Sequence, residues 1–211
     1  MKETITELPL RLSTPDDSDE LARAEVYGLL SQLFYSAPDA ELYSQIQVAP
    51  TVAPAPGGFL ESSWMDVVSA ARRRSQAEAA QEYDEMFMGI GKPDIFLYGS
   101  HHIAGSLNEK PLVALRDSLA QLGLARAEGM TETEDHFAYL CEVMRYLIAG
   151  DDVGVSNLGS QQRFFNAHLR GWSDGMLEQV AGHPAADFYR ALALFTREFL
   201  AVEGQGFDML D

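Results

Sequence analysis

One cysteine stands in the 211 residues of this chain. No disulfide can close within it, which excludes the stapled scaffold of small secreted domains and fits a reducing compartment. Positive charge is also scarce. Fifteen Lys and Arg face 32 Asp and Glu, a formal charge of -17. Such a surface repels phosphate backbones, so nucleic-acid binding is disfavoured. It draws basic peptides and proteins and speeds their encounter, and it also serves plain solubility. No window approaches the roughly 18 apolar residues of a membrane span, and MKETITELPLRLSTPDDSDE lacks the apolar run of a signal peptide. A soluble, cytoplasmic protein is therefore expected. No run of alternating β-branched residues between turns suggests a strand, and no internal repeat is evident. Hydrophobic residues at 46% and charged residues at 22% suit one folded domain with a sizeable core.

What remains is helical periodicity. Residues 1–15, with Pro9 and Pro15, read as a loose arm, and the cluster Asp16 to Asp19 suits a helix start. Leu21, Ala24, Tyr27, Leu30, Leu33 and Phe34 recur at helical spacing. A short helix over 39–46 is followed by VAPTVAPAPGG, a loop by its prolines and glycines. One long helix is expected over 61–88, with Arg72, Arg73 and Arg74 on a solvated face. Gly89, Gly91 and Pro93 stop it, and residues 89–105 read as irregular, rich in aromatics and histidine. Asn108 suits the cap of a helix to Leu122, with Pro111 in its first turn and Gly123 at its end. Phe137, Leu140, Cys141, Met144, Leu147 and Ile148 form one apolar stripe ending at Gly150. A further helix carries Phe164, Phe165, His168, Leu169 and Trp172. The last runs over 185–202 with Phe188, Leu192, Phe195 and Phe199 on one face. The expected fold is all-α, a bundle of about eight or nine helices. It occupies 16–205 as a single domain, with hinge or loop regions about 89–107 and 124–134 and a C-terminal tail over 206–211.

Complete catalytic motifs are missing. A di-iron bundle needs paired Glu-x-x-His motifs, and the chain has none. Adjacent His101 and His102 cannot share a helix face. GIGKPD lacks the third glycine of a dinucleotide fingerprint and the Gly-Lys-Ser/Thr end of a P-loop. Ser100 beside His101 and His102 does not make a triad, which is defined by geometry. Cys141, on a buried stripe, is expected to be an unreactive core residue. The dense cluster is ETEDH, Glu132 to His136, at the start of the 137–148 stripe. Thr131 or Thr133 could cap the helix, with Glu134 or Asp135 at its positive end. Glu132, Asp135 and His136 could instead be three metal ligands. Capping does not explain His136, which is unfavourable there if protonated. A neutral His136 bonded to a neighbour fits better.

Four segments together resemble the TorD/DmsD/NarJ-like family of cytosolic chaperones for molybdenum enzymes. YDEMFMG, Tyr83 to Gly89, is similar to the family's Y-x-x-L-F-x-G, with Met86 for Leu. Tyr98-Gly99-Ser100 sits at the family's serine-containing loop without its usual prolines and acid. Glu132 to His136 resembles E-P-x-D-H, with Thr133 for Pro, and Gly123-Leu124 matches the turn after the preceding helix. The resemblance implies a TorD-like helical fold with no catalysis, cofactor or metal. It implies a protein that binds the twin-arginine leader and apo form of a molybdenum-containing oxidoreductase, holding it for cofactor insertion before export. Carried over, Asp135 and His136 are the key pair, Glu132 stands alongside, and Tyr83, Phe87, Tyr98 and Ser100 line or support the leader site. The segment from Ser100 to Gly129 looks closest to members associated with formate dehydrogenases. The family occurs as monomers and swapped dimers. Two other readings stay open: an acidic regulatory or assembly subunit docking a larger redox enzyme, and a helical metal-dependent hydrolase.

Overall fold

The computed structural model describes residues 15–51, 60–89, 91–107, 110–127 and 129–210. Within them ten helices run in order: α1 (Pro15–Tyr35), α2 (Ala40–Val48), α3 (Glu61–Arg73), α4 (Gln76–Phe87), α5 (Gly99–Ala104), α6 (Lys110–Gln121), α7 (Phe137–Ala149), α8 (Leu158–His168), α9 (Ser173–Gly182) and α10 (Phe188–Asp208). The only extended pairing among them is an isolated antiparallel bridge between Tyr98 and His136. The all-α expectation holds, with one or two helices more than read from the sequence. The expected arm (bar Pro15), the Asn108 cap and most of the 48–58 loop lie outside the described residues.

One expected helix is really a pair, and another stops early. The 61–88 stretch breaks at Arg74, and Ser75 starts a new helix. Its hydroxyl accepts from the Glu78 N–H, and the Glu78 carboxylate accepts from the Ser75 N–H at 2.8 Å. This reciprocal box satisfies two helix-end donors at once, and Ser75 with Glu78 was its sequence signal. The three arginines therefore sit at a helix end. Arg72 donates to the carbonyls of Gln47 and Ala49, and Arg73 and Arg74 pair with Asp187. The expected Phe164–Trp172 helix likewise stops at His168, and Trp172 is the cap residue before α9. Residues 99–104, expected to be irregular, form α5. The last helix starts at Phe188 and runs on to Asp208, through the first part of the expected tail. Leu21 points outward, with the buried stripe of α1 starting at Ala24.

The core lies between α1 and α7, which pack along each other, and α10, which packs on α3 and α9. Phe34 meets Phe137, Phe87 and Tyr189 edge to ring at 5.0, 6.3 and 6.2 Å between centroids. The last carbonyls of a helix lack intrahelical donors. In α1 they are supplied by two tyrosines: Tyr189 donates to Leu33 at 2.9 Å and Tyr83 to Tyr35 at 2.7 Å. That fixes where α1 ends and holds Tyr35 beside the start of α7. The end of α6 follows its sequence signal. Gly123 adopts φ 70°, and Gly123 and Leu124 donate back to Ala120 and Leu119, the paired bonds of a glycine-terminated helix.

Candidate functional site

The ETEDH segment is the turn before α7, not its first turn. His136 is itself the cap: its Nδ1 accepts from the Ala138 N–H at 3.2 Å. The expected threonine caps are not used. Thr133 instead donates its hydroxyl to Asp135 at 2.6 Å, and Thr131 reaches Glu132. Segments 97–99 and 135–137 lie against each other. Gly99 donates to the Asp135 carbonyl at 3.0 Å, and Phe137 donates to the Leu97 carbonyl at 2.7 Å. This short pairing puts Tyr98 beside His136, with ring centroids 5.0 Å apart.

A cleft of about 350 Å³ opens on the His136 side. The end of α1 supplies Tyr35, α4 supplies Tyr83, Asp84 and Phe87, segment 93–98 supplies Ile95, Phe96, Leu97 and Tyr98, and the turn before α7 supplies Glu132 and His136. Five of the seven residues singled out in the sequence therefore meet here: Tyr83, Phe87, Tyr98, Glu132 and His136. Tyr83 is nearly buried and spends its hydroxyl on the end of α1, so it supports the wall. Tyr98 donates its hydroxyl to the Glu132 carboxylate. Burial, then the Glu132 carboxylate, push that hydroxyl well above the ordinary tyrosine range, so it stays a donor.

The other two stand behind the wall. Asp135 is 3% exposed. One of its oxygens accepts the Ser100 N–H at 2.8 Å at the start of α5, and the other takes the Thr133 hydroxyl. Ser100 is buried, and its hydroxyl has no partner among the described residues. Both line a second cavity of about 370 Å³ between α5, α6 and the Trp172 region. Gly99 gives close room there: a Cβ would come within 3.1 Å of the Trp172 indole, which would have to shift by a few tenths of an ångström.

His136 is the one buried histidine, at 4% exposure. Burial lowers its pKa to about 4, against the opposing pull of Glu132 and Asp135. It is neutral at physiological pH, which removes the clash between an imidazolium and a helix start. Among the described residues no group of three His, Cys, Asp or Glu side chains is placed to hold a metal ion. Cys141 is fully buried, and desolvation pushes its thiol well up.

Sequence reasoning missed Asp84 and Tyr35 as cleft residues, whereas the apolar 95–103 loop, expected as a wall of the groove, does supply Ile95, Phe96 and Leu97. Asp84 was legible: it follows Tyr83 on α4 one turn before Phe87 and Met88. Tyr35 carried no signal, because its place depends on where α1 stops.

The chain has relatives among known proteins. The family model described as nitrate reductase delta subunit matches residues 56–178, more than half of the chain, and the chain belongs to that family. It is similar to the chaperone protein TorD of Vibrio cholerae, 26% identical over 204 residues, covering 89% of this chain and 93% of that one. It is also similar to the probable Tat proofreading chaperone DmsD of Haemophilus influenzae, 24% identical over 192 residues, covering 83% and 87%.

Proposed function

We propose that this chain is a cytoplasmic chaperone that binds the twin-arginine leader of a molybdenum-containing oxidoreductase and holds the apo form for cofactor insertion before export. The names of its relatives support the class: one is a chaperone, another a probable Tat proofreading chaperone. The observation that carries the ligand is the make-up of the cleft. Its lining includes Phe87, Phe96 and Leu97 for an apolar stretch, Asp84 and Glu132 for cations, and neither Lys nor Arg. A carboxylate pairs a guanidinium through two parallel bonds, and an apolar floor takes the hydrophobic part of a leader. No helix among the described residues is long and apolar enough to cross a membrane.

Within this reading Glu132 and His136 face the leader, Tyr98, Tyr83 and Phe87 shape the cleft, and Asp135 and Ser100 hold the wall behind it. We propose a formate dehydrogenase as the client, because the segment from Ser100 to Gly129 resembles family members associated with such enzymes. The test is titration of the full chain with a synthetic twin-arginine leader and its Lys-Lys counterpart at low and high salt. Tighter binding of the arginine leader, weakening with salt, supports the reading. Equal affinity for both at each salt overturns it.

The family's description as a subunit favours a second reading, an acidic assembly subunit docked on a larger redox enzyme. Capture of the client from native cells separates the two. Loss of capture when the client's leader is deleted belongs to the chaperone, and retention to the docked subunit.

A further inference from the structure

The five histidines differ in what their Nε2 atoms meet. In His102 it lies 2.7 Å from the Phe96 carbonyl, and in His168 2.9 Å from the Ser118 hydroxyl. His183 is the instructive case. Its Nδ1 accepts the Ala185 N–H at 3.2 Å, and its Nε2 lies 3.2 Å from an Asp94 carboxylate oxygen. His136 makes the same local turn, with Nδ1 accepting the Ala138 N–H at 3.2 Å. Yet its Nε2 has no acceptor within hydrogen-bond distance among the described residues.

The tautomer follows from the cap. A backbone N–H can only donate, so Nδ1 of His136 must present its lone pair. The proton of the neutral ring is then on Nε2. Tyr98, Tyr139 and Tyr35 surround the ring, with centroids at 5.0, 5.8 and 6.3 Å. The N–H cannot swing away to find a partner. The neighbouring carboxylates are turned elsewhere: Glu132 takes the Tyr98 and Thr131 hydroxyls, and Asp135 takes the Ser100 N–H and the Thr133 hydroxyl. A residue that is 4% exposed and lines the cleft thus holds a fixed, unclaimed donor there.

Such a donor calls for an oxygen acceptor. An anionic one is disfavoured by Glu132 and Asp84 in the same cleft. A neutral carbonyl carried on a cationic chain meets both demands. We infer that the Nε2–H of His136 binds a main-chain carbonyl of the arginine-bearing leader, while the guanidinium groups lie against Glu132 and Asp84. This rests on the leader-binding reading and adds to it how the peptide backbone is registered. Side-chain carboxylates read only that arginine is present. A rigid donor between them fixes which peptide unit lies beside which carboxylate.

The test uses the full chain, ¹⁵N-labelled at histidine, with the synthetic leader and a series of leaders each carrying one ester in place of an amide. An ester carbonyl is the weaker acceptor. In the free protein His136 is expected with its proton on Nε2, and leader binding should shift that resonance and slow its exchange with water. One ester leader should bind about tenfold more weakly than the amide, the scale of one hydrogen bond. That loss should disappear in His136→Asn, whose oxygen can still cap α7 but whose amide falls short of the cleft. A proton on Nδ1, or an Nε2–H untouched by a leader that does bind, overturns the inference alone. So does the absence of any ester position whose loss depends on His136. Failure of the intact leader to bind overturns the functional reading, and this inference with it.

Discussion

Glu82 on α4 caps Tyr189 on α10: its buried carboxylate accepts the Tyr189 N–H at 3.0 Å across 107 residues of sequence. The same carboxylate takes the N–H groups of Asp187 and Phe188 at 2.9 and 3.2 Å. The first N–H groups of a helix have no partner of their own kind, and Asp187 makes no side-chain cap. A remote acid therefore does the capping.

Glu82→Ala should lower stability by about 3 kcal/mol, because three donors, two of them buried, lose a charged acceptor. Glu82→Gln keeps one acceptor oxygen and should lose less. Urea unfolding of both variants measures it. A loss under about 0.5 kcal/mol for Glu82→Ala, the level of an ordinary surface substitution, would mean the contact is not formed.

His136 gives a pH dependence with a definite sign. Its pKa in the folded chain, about 4, lies below the ordinary value near 6.5. The unfolded chain therefore takes up the proton first as pH falls. The contribution is whole above about pH 6.5 and drains away as pH falls toward 4, to a total on the order of 3 kcal/mol. His136→Asn, which can cap without titrating, should flatten the stability profile in that window. An unchanged slope between pH 6.5 and 4 would show that the ring is protonated in the fold.

The two cleft carboxylates should weigh differently. Glu132 is half-buried and held by Tyr98, whereas Asp84 is exposed. Glu132→Gln should weaken an arginine leader about tenfold, the scale of a hydrogen bond to a charged group. Asp84→Asn should weaken it about two- to fivefold, the range of exposed pairs. Both should reduce the salt dependence of binding. Titration calorimetry at two ionic strengths checks the order, and a larger effect at Asp84 would place the first guanidinium elsewhere.

Cys141 should behave as core. With its thiol fully buried and hard to ionise, alkylation of the native chain should run at least ~100-fold slower than in denaturant, gated by opening of the fold. Equal rates would place α7 on the surface.

The sequence showed most where one helix face decides the outcome. The α7 stripe, the α10 face and the Gly123 end could all be read because each depends on neighbours within a few residues. The break between α3 and α4 was carried by Ser75 and Glu78 but masked by continuous helical periodicity. The cleft was half legible. The motif residues Tyr83, Phe87, Tyr98, Glu132 and His136 do converge, but Tyr35 joins them only because two tyrosines set the end of α1. Nor could spacing show that Asp135 would turn to the opposite side of the wall from His136. That follows from the Ser100 N–H, which lies 35 residues away.

The pairing of 97–99 with 135–137 also acts as a neck. Everything between Gly99 and Asp135, with α5 and α6 inside it, leaves and rejoins the body through those two short stretches. The Gly99 and Phe137 N–H groups are the stitches that close it. The cleft has residues from both sides of the neck, Tyr98 from the outgoing chain and Glu132 and His136 from the returning one. A ligand gripping both sides draws the purse shut. Occupancy at one end would then be felt as slower hydrogen exchange in α5 and α6, which supply no residue to the cleft.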